Sequence, residues 1–425
     1  MDVNDLNKTV RSQRILNGAW HAIRRNAETS RKAETREEAR KLGNELPSKL
    51  RSLSDRLRKG YHFSPAFGAT PSKGKGKKGK RPLVVAPIQD RIIQRAVLDT
   101  LTECKELSNV QSVLRTKTSV GGIPQRGVEN AIELLDQCVA NGDRFIAASD
   151  IAGFFTKIPR DRVLEYVGRD TEDKDFLGLL DRALTVELAN EATLPTEDRK
   201  LFPTGNDGVA QGCPLSALAG NIVLKCFDTE MNEEGRGITC IRYIDDFVLV
   251  GRTRKKVVAA MKSAKQKLAR LGMDVYDPET DPDKAFVGEI GNGHVFLGYE
   301  LEPGRYPPAQ KSRDRLIGQV EALLKNGRTT IKKAKSGKKL SSSDRAYIQT
   351  LTAIDNTLKG WRGSYQSSNC DEVFLAIDAE VQRRLRDFDG FFRRSIRDEG
   401  DAVRRRMLGV KNLSDGLPPK VSQKN

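Results

Sequence analysis

The stretch that most constrains the fold is Ile238–Gly251, ITCIRYIDDFVLVG, in which two adjacent carboxylates interrupt a long apolar segment. Two short apolar runs, Ile241–Ile244 and Phe247–Val250, predict the two strands of a hairpin and leave Asp245 and Asp246 at its tight turn. Because like charges side by side repel each other, a carboxylate pair next to two buried strands favours a hard divalent cation such as Mg2+ as its counter-ion. An acidic pair at a turn is, however, more often simply solvated, so the rest of the chain has to decide.

The charge balance of the whole chain indicates a polyanionic partner. The 425 residues include 74 Lys and Arg against 57 Asp and Glu, which gives a formal net charge of +17. Nucleic acid is the commonest partner of a chain with such an excess of cations. A basic protein that is merely kept soluble by its charge would have the same composition.

Several classes of protein are disfavoured. No apolar run approaches the roughly 20 residues of a membrane span, and the N-terminal residues lack the apolar core of a signal peptide. The six cysteines form no CxxC pair, and with three histidines in the chain a zinc site is not expected. We therefore expect a protein without membrane association in the reduced cytoplasm.

Two further segments carry residues that suit a phosphate-handling site. Lys73–Arg81, KGKGKKGKR, predicts a flexible basic loop that either binds phosphates or is a solvated charge run. Arg144–Ile151, RFIAASDI, predicts a core strand that ends in Asp150, a position typical of a catalytic ligand and equally of a helix cap. If Asp150 and the Asp245–Asp246 pair converge on one face of a sheet, they can hold two Mg2+ ions. Such ions activate a 3′-hydroxyl and neutralise a triphosphate.

The remaining segments predict mainly helices. Residues 1–60 have apolar residues at helical spacing and predict two or three helices, with Trp20 and His21 on a packing face. Val295–Leu301, VFLGYEL, predicts one strand with a central glycine. Beyond residue 305 the chain becomes strongly basic and helical, which indicates a polyanion-facing domain with a disordered tail at its end.

Taken in order, these segments resemble the conserved blocks of reverse transcriptases. The blocks are KGKKGKRPLVVAPIQDRIIQ, SDIAGFF, GVAQGCPLSALAGNIVL, RYIDDFVLVG, DKAFVG and VFLGYEL. The arrangement is most similar to the group II intron-like bacterial enzymes. The later segment KGWRGSYQSSNCDEVFLAIDAEVQRRL of this chain also resembles their thumb region.

The resemblance implies a fold and a division into domains. The implied fold is α+β, a right-hand polymerase with fingers, a palm built on an antiparallel sheet, and a helical thumb. The implied domains are a helical N-terminal extension (1–60), fingers (61–145), a palm (146–302, with a finger insertion at about 160–205) and a basic helical thumb and tail (303–425).

The resemblance also implies catalytic roles. Asp150 and Asp245 match the metal ligands, and Asp246 matches the third acidic residue, while Ile151 is included in the same metal site. Lys284 matches the lysine thought to protonate pyrophosphate, a role that suits a cation beside a developing anion. Taken alone, Lys284 would be an ordinary solvated loop cation.

The implied binding residues form two groups. The nucleotide-binding group comprises Arg81, Lys80, Ile151, Phe155, Gln211 and Gly212, and the primer grip comprises Phe296, Leu297, Gly298 and Tyr299. A ring at position 155 would clash with a 2′-hydroxyl and so favours deoxynucleotides. Outside the ordered series of blocks, Phe155 would be a core residue and Gln211 an ordinary turn former.

The implied activity is RNA-directed DNA synthesis, with Mg2+ as cofactor and with template RNA, nascent DNA and dNTPs as partners. The oligomeric state is left open. The sequence departs from group II enzymes at Thr156, at PLSALAGN, and in lacking an endonuclease segment after the thumb. These departures favour a stand-alone enzyme similar to the unknown-group reverse transcriptases of antiviral defence, which commonly copy a non-coding RNA encoded beside them. The alternatives are a group II intron maturase that acts as an RNA-splicing cofactor, and a non-enzymatic RNA scaffold.

Overall fold

The computed structural model describes residues 2–30, 32–74, 79–341 and 343–410. The chain divides into two compact units, Met1–Glu289 and Ile290–Asn425. The middle of the predicted basic loop (75–78) and the predicted disordered tail lie outside the described residues.

The first unit opens with helices and carries most of the secondary structure of the chain. Its helices are α1 Leu6–Val10, α2 Gln13–Glu28, α3 Ala33–Asn44, α4 Leu46–Arg58, α5 Ile88–Glu103, α6 Ser108–Leu114, α7 Val128–Ala140, α8 Arg160–Gly168, α9 Lys174–Leu184, α10 Thr196–Arg199, α11 Ser216–Val223, α12 Lys225–Met231 and α13 Arg254–Ala269. Its strands are β1 Phe67–Ala69, β2 Leu83–Val85, β3 Phe145–Ala152, β4 Ile238–Tyr243, β5 Asp246–Gly251, β6 Asp274–Val275 and β7 Ala285–Glu289.

The N-terminal helices are packed as the apolar spacing predicts, with two differences. The described residues before position 60 form four helices rather than two or three, because the chain turns between α1 and α2 and again between α3 and α4. Trp20 is buried in the core with Leu16 and Ile23, each about one helical turn away on the same face. His21 is exposed, so its predicted place on the packing face is wrong. It follows Trp20 directly, and a helix turns neighbouring side chains away from each other.

An antiparallel sheet forms the centre of the first unit. Its strand order is β4–β5–β3–β6, and β7 also pairs with β3. Helices α7, α12 and α13 pack against this sheet. Residues on both faces of β3 and β5 are consequently buried, among them Ile146, Ala147, Val248 and Leu249. This double burial explains why both strands have near-continuous apolar sequences rather than alternating ones.

The strands at the acidic pair differ from the sequence prediction by one or two residues. The turn between β4 and β5 consists of Ile244 and Asp245, while Asp246 already lies in β5 opposite Tyr243. Strand β3 does not end at Asp150 but continues to Ala152, because its last two residues pair with β6. That pairing partner lies more than a hundred residues away along the chain, where a local pattern cannot reveal it.

The second unit is mainly helical. Its helices are α14 Gln310–Lys335, α15 Tyr347–Gly363, α16 Asp371–Ile396 and α17 Asp401–Leu408, and its strands are β8 Val295–Phe296 and β9 Tyr299–Glu300. The helices bury a core of their own that includes Leu316, Val320, Phe388 and Phe392. The helices and antiparallel strands of the two units confirm the predicted α+β class. None of the helices in the described ranges combines the length and apolar character that crossing a membrane requires.

The predicted strand VFLGYEL is in fact a small hairpin. Strands β8 and β9 pair with each other through Phe296 and Tyr299, so Leu297 and Gly298 form a two-residue turn. Both turn residues have positive φ, 50° and 90° respectively. This is the torsion pattern that matches the twist of a tight hairpin.

Candidate active site

Two carboxylates and one ammonium group meet at the end of the central sheet. Asp150 on β3 stands directly opposite Asp246 on β5. The turn residue Asp245 is tied to β3, because its carbonyl accepts a 2.9 Å hydrogen bond from the backbone N–H of Ile151. Lys284 directly precedes β7, and its ammonium group donates a hydrogen bond to the Asp150 carboxylate. The structure therefore brings together residues that are distant in the sequence.

The charged groups at this site change one another's pKa. Burial raises the pKa of the Asp245 carboxyl above its usual range, and the neighbouring Asp150 charge raises it further. Burial of Lys284 by itself would lower its pKa, but the hydrogen bond and charge of Asp150 outweigh that effect and raise it. The Asp245 carboxyl therefore binds its proton more tightly than a solvated carboxyl does, and a bound cation would favour its ionised form.

The donor set fits Mg2+ bound together with a substrate. In the described residues, no group of three or more His, Cys, Asp or Glu side chains is arranged to hold a metal ion. Among the four predicted ligands, Asp150 and Asp245 act on each other electrostatically, and the metal roles of all four residues, Asp246 and Ile151 included, stay predictions. Mg2+ in polymerase-type sites is bound by one or two carboxylates plus substrate phosphates, so two carboxylates suffice. The cation that Asp150 attracts here is the Lys284 ammonium.

The backbone of the turn that carries Asp245 is strained. Ile244 has a φ of 61°, which a β-branched residue adopts only at a cost of about 1–3 kcal/mol. Such a conformation persists only where the surroundings over-determine it, and such residues cluster at functional sites. The strain makes the turn a defined structural element rather than a solvated loop.

The turn is backed by a buried guanidinium that the sequence prediction overlooked. Arg242 on β4 is fully buried, and its guanidinium binds the carboxylate of Asp228, the amide oxygen of Asn221 and the hydroxyl of Ser119. It also donates a 2.7 Å hydrogen bond to the carbonyl of Ile244. One signal was present in the sequence: an arginine in an otherwise apolar strand needs a buried partner.

The predicted nucleotide-binding residues on the β1–β2 hairpin are next to Gln211. The backbone N–H of Val84 on β2 donates to the carbonyl of Gln211 at 3.0 Å, so residue 211 pairs alongside β2. Gly212 has a φ of 124°, and a Cβ there would lie 2.8 Å from the Val84 carbonyl oxygen. Only glycine fits this close approach. The hairpin and the Gln211–Gly212 turn therefore form one structural group.

The two cations of this hairpin differ in their surroundings. Lys80 donates to both oxygens of Asp198 at 2.7 Å, and Asp198 also accepts from Thr70. Arg81 is exposed and forms no side-chain hydrogen bond or ion pair with the described residues. Of the two, Arg81 is available to a triphosphate, whereas Lys80 anchors the hairpin.

Phe155 lies in a short 3-10 helix just after β3. Its ring contacts that of Phe154, with centroids 5.3 Å apart. Phe154 is buried in the core, whereas Phe155 is only partly buried. Its position just after β3 would allow contact with a nucleotide at Asp150. The contact with Phe154 is equally expected of a residue at the edge of the core.

The predicted primer grip is the β8–β9 hairpin of the second unit. Phe296 and Tyr299 point into the core and are buried, and the Tyr299 ring packs on Tyr365 with centroids 5.2 Å apart. Leu297 and Gly298 form the turn between them. Contact of these residues with a primer stays a prediction.

The part of the chain that carries Asp150 and Asp245 is similar to known proteins. The sequence profile of a family described as reverse transcriptase (RNA-dependent DNA polymerase) matches residues 71–278. Protein YkfC of Escherichia coli (strain K12) is 26% identical over 292 residues, which cover 60% of this chain and 72% of YkfC. A chain of the solved "Partial Cas6-RT-Cas1--Cas2 complex" is 20% identical with a TM-score of 0.35. That match covers 63% of the present chain and 41% of the solved chain, so the present chain spans less than half of it.

Proposed function

We propose that the reverse transcriptase domain of this α+β right-hand polymerase, residues 71–278, extends a primer on an RNA template with dNTPs and Mg2+. An RNA-directed DNA polymerase is a nucleotidyltransferase. The observation that carries the proposal is the meeting of Asp150, Asp245 and Lys284 at the end of the sheet. These are the charges that nucleotidyl transfer requires, and the two carboxylates lie within the matched domain.

Each of these residues has a defined task in the proposed reaction. Asp150 and Asp245 would hold the divalent ions, which when bound help to deprotonate the primer 3′-hydroxyl and neutralise the triphosphate. Arg81, exposed on the β1–β2 hairpin, would bind the triphosphate. Lys284 would donate its proton to the leaving pyrophosphate, and its raised pKa keeps it protonated at neutral pH.

The sugar of the incoming nucleotide would lie against Phe155. An aromatic ring at this position leaves no room for a 2′-hydroxyl and offers it no hydrogen-bond partner. The polymerase should therefore accept dNTPs and discriminate against NTPs. This selectivity distinguishes DNA synthesis from RNA synthesis on the same palm.

The test is primer extension on a defined RNA template. The wild-type chain should make DNA from dNTPs in Mg2+ and give little product with NTPs. Asp150→Asn and Asp245→Asn should each lower the rate by about 10³-fold or more, because each removes a charge that acts on the reacting groups. Asp143→Asn is the matched control, since Asp143 is also half-buried and lies just before the other end of β3. Absence of RNA-templated DNA from the wild type, or equal activity of all four proteins, would contradict the proposal.

The biological template is a finer part of the proposal. The departures at Thr156 and PLSALAGN support a stand-alone enzyme. We propose that it acts in the cytoplasm and copies one dedicated non-coding RNA in antiviral defence. Sequencing of the RNA and DNA that co-purify with the chain from its own cells should recover one enriched RNA and its complementary DNA. Recovery of bulk RNA alone would refute a dedicated template. Splicing of an intron stimulated by the Asp245→Asn variant would instead support a maturase.

A further inference from the structure

We propose that Arg242 is a positioning residue, which holds the Ile244–Asp245 turn in the conformation that places Asp245 beside Asp150. The kinetic part of this inference rests on the proposed function, but its structural part does not. Arg242 itself is fully buried, and its hydrogen bonds go to neither of the two carboxylates, although its charge lowers the pKa of Asp245. It acts through the backbone of the turn.

The guanidinium of Arg242 is completely used. Its Nε and one Nη2 hydrogen bind the two oxygens of Asp228, and the second Nη2 hydrogen binds Ser119 Oγ at 2.8 Å. Its two Nη1 hydrogens bind Asn221 Oδ1 at 3.0 Å and the carbonyl of Ile244 at 2.7 Å. All five N–H donors of the planar fork therefore have partners. Asp228, Ser119 and Asn221 fix the plane of the guanidinium. The hydrogen bond to the Ile244 carbonyl then restrains the backbone of the turn.

The turn needs such a hold because its conformation is unfavourable for the residue present. Ile244 has a positive φ that its branched side chain disfavours. The backbone of Gly121 lies so close to the turn that a Cβ at residue 121 would be 2.6 Å from the Ile244 nitrogen. The backbone N–H of Ile151 donates a hydrogen bond to the Asp245 carbonyl. Arg242 supplies the remaining restraint, on the carbonyl that lies between the strained residue and Asp245.

Stability alone does not explain a buried arginine at this place. Burying two charges costs much of what their attraction returns, so apolar residues of similar size commonly serve a core equally well. An apolar pair at 242 and 228 would, however, leave the Ile244 carbonyl without its donor. A lysine would keep the charge for Asp228, but it lacks the rigid fork that reaches Asp228 and Ile244 together.

The closing experiment compares the full chain with two variants and one control. Arg242→Met combined with Asp228→Leu removes both charges, so that no unpaired carboxylate is left buried to unfold the chain. Arg242→Lys keeps the charge and loses the fork. The control is Arg160→Met, because Arg160 is also buried and holds two loop carbonyls, those of Gly205 and Asn206, in the same unit.

Three measurements are made on each protein. They are hydrogen–deuterium exchange of the Ile151 amide and of residues 243–247 without metal, Mn2+ affinity by electron paramagnetic resonance, and the pre-steady-state rate constant of single-dNTP addition. Both Arg242 variants should exchange faster at the turn. Their Mn2+ affinity and rate constant should fall about 10- to 100-fold, with RNA affinity unchanged. Arg160→Met should match the wild type in exchange at the turn and in Mn2+ affinity.

The outcomes separate this inference from the proposed function. A purely structural role would lower the burst amplitude and the unfolding temperature but leave the rate constant per active molecule and the Mn2+ affinity unchanged. That result, or wild-type exchange at the turn in both Arg242 variants, overturns the positioning role. If the wild type makes no DNA while the exchange and Mn2+ differences are present, the proposed function is refuted and the positioning role of Arg242 stands.

Discussion

At the scale of single residues, the site combines an ion pair, Lys284 with Asp150, and a carboxyl, Asp245, whose charge is disfavoured by burial. Asp245 is half-buried next to Asp150, and its pKa is raised. Lys284 donates its hydrogen bond to Asp150 and not to Asp245. A site that is prepared for cations in this way costs the folded chain some stability at the pH at which it works.

This cost predicts that Asp245→Asn stabilises the metal-free chain at neutral pH. A carboxyl whose folded-state pKa is raised favours folding below its unfolded pKa of about 3.9, and this contribution is lost as the pH rises through the folded-state pKa. The variant should unfold about 1–3 °C higher than the wild type at pH 8 in EDTA, and the difference should shrink towards pH 4. Thermal unfolding followed by circular dichroism measures it.

The control for the sign is Asp274→Asn. A hydrogen bond from Lys157 lowers the pKa of Asp274, so this variant should be slightly less stable than the wild type at pH 8 and equal to it at low pH. A pH-independent effect of Asp245→Asn would contradict the assignment of its pKa shift.

At the scale of elements, three hairpins carry many of the candidate residues, and their turns differ in how well the sequence predicts them. The β8–β9 turn was missed because Leu297, with a positive φ, is not a turn former in any local scheme. The β4–β5 turn was recognised from its carboxylates but shifted by one residue. The β1–β2 hairpin depends on a contact with Gly212, which lies more than a hundred residues further along the chain.

That contact predicts a specific effect of Gly212→Ala. The new Cβ would meet the Val84 carbonyl oxygen at 2.8 Å, so the Gln211 segment and β2 must separate and Arg81 must move. We expect the KM for dNTPs to rise about 10-fold, as misplacement of a positioning group does. Steady-state primer extension with varied dNTP measures this rise.

Gly142→Ala is the matched control for Gly212→Ala. Gly142 also has a positive φ, of 91°, but a Cβ there would meet no atom within 4 Å. Both variants therefore pay about 1–2 kcal/mol for the backbone conformation, and only Gly212→Ala adds a collision. Equal KM values for the two variants would show that the contact with β2 does not matter for nucleotide binding.

At the scale of the whole molecule, the excess of cations predicts how the proposed polymerase would bind RNA. The net charge is +17, and the second unit contributes a cavity of about 380 Å3 lined by Arg393, Arg394, Arg397 and Arg404. Arg394 and Arg397 have no acidic partner among the described residues. Such arginines attract phosphates at long range and carry no sequence information.

RNA affinity should therefore depend steeply on salt. A chain that contacts six to ten phosphates loses about 10³- to 10⁵-fold in affinity between roughly 50 and 200 mM salt. Fluorescence anisotropy of a labelled RNA, titrated at several salt concentrations and constant Mg2+, gives the slope of log K against log salt. Arg394→Gln combined with Arg397→Gln should reduce that slope by about 2.

Arg24→Gln serves as the control for the salt experiment. Arg24 already pairs with Glu28 on the surface of α2, at 2.6 Å, so its loss should leave the slope unchanged. Identical slopes for the wild type and the double arginine variant would exclude the cavity of the second unit from RNA binding.

The sequence by itself determined the local elements and the chemistry that they carry. Apolar spacing predicted helices before residue 60, and short apolar runs predicted the strands around Asp150 and Asp245, because these patterns follow from the backbone geometry of helices and strands. The order of the blocks then indicated a reverse transcriptase.

Only the tertiary structure decided which of these residues meet. Lys284 reaches Asp150 across 134 residues of chain, and Lys80 is held by Asp198. Arg242 is bound to Asp228, Asn221 and Ser119 and to the turn that carries Asp245. Such pairings arise when long loops close and the core excludes every alternative partner, and no local pattern of residues records that outcome. The acidic turn was thus recognisable from the sequence, whereas the restraints that give it one conformation exist only in the folded chain.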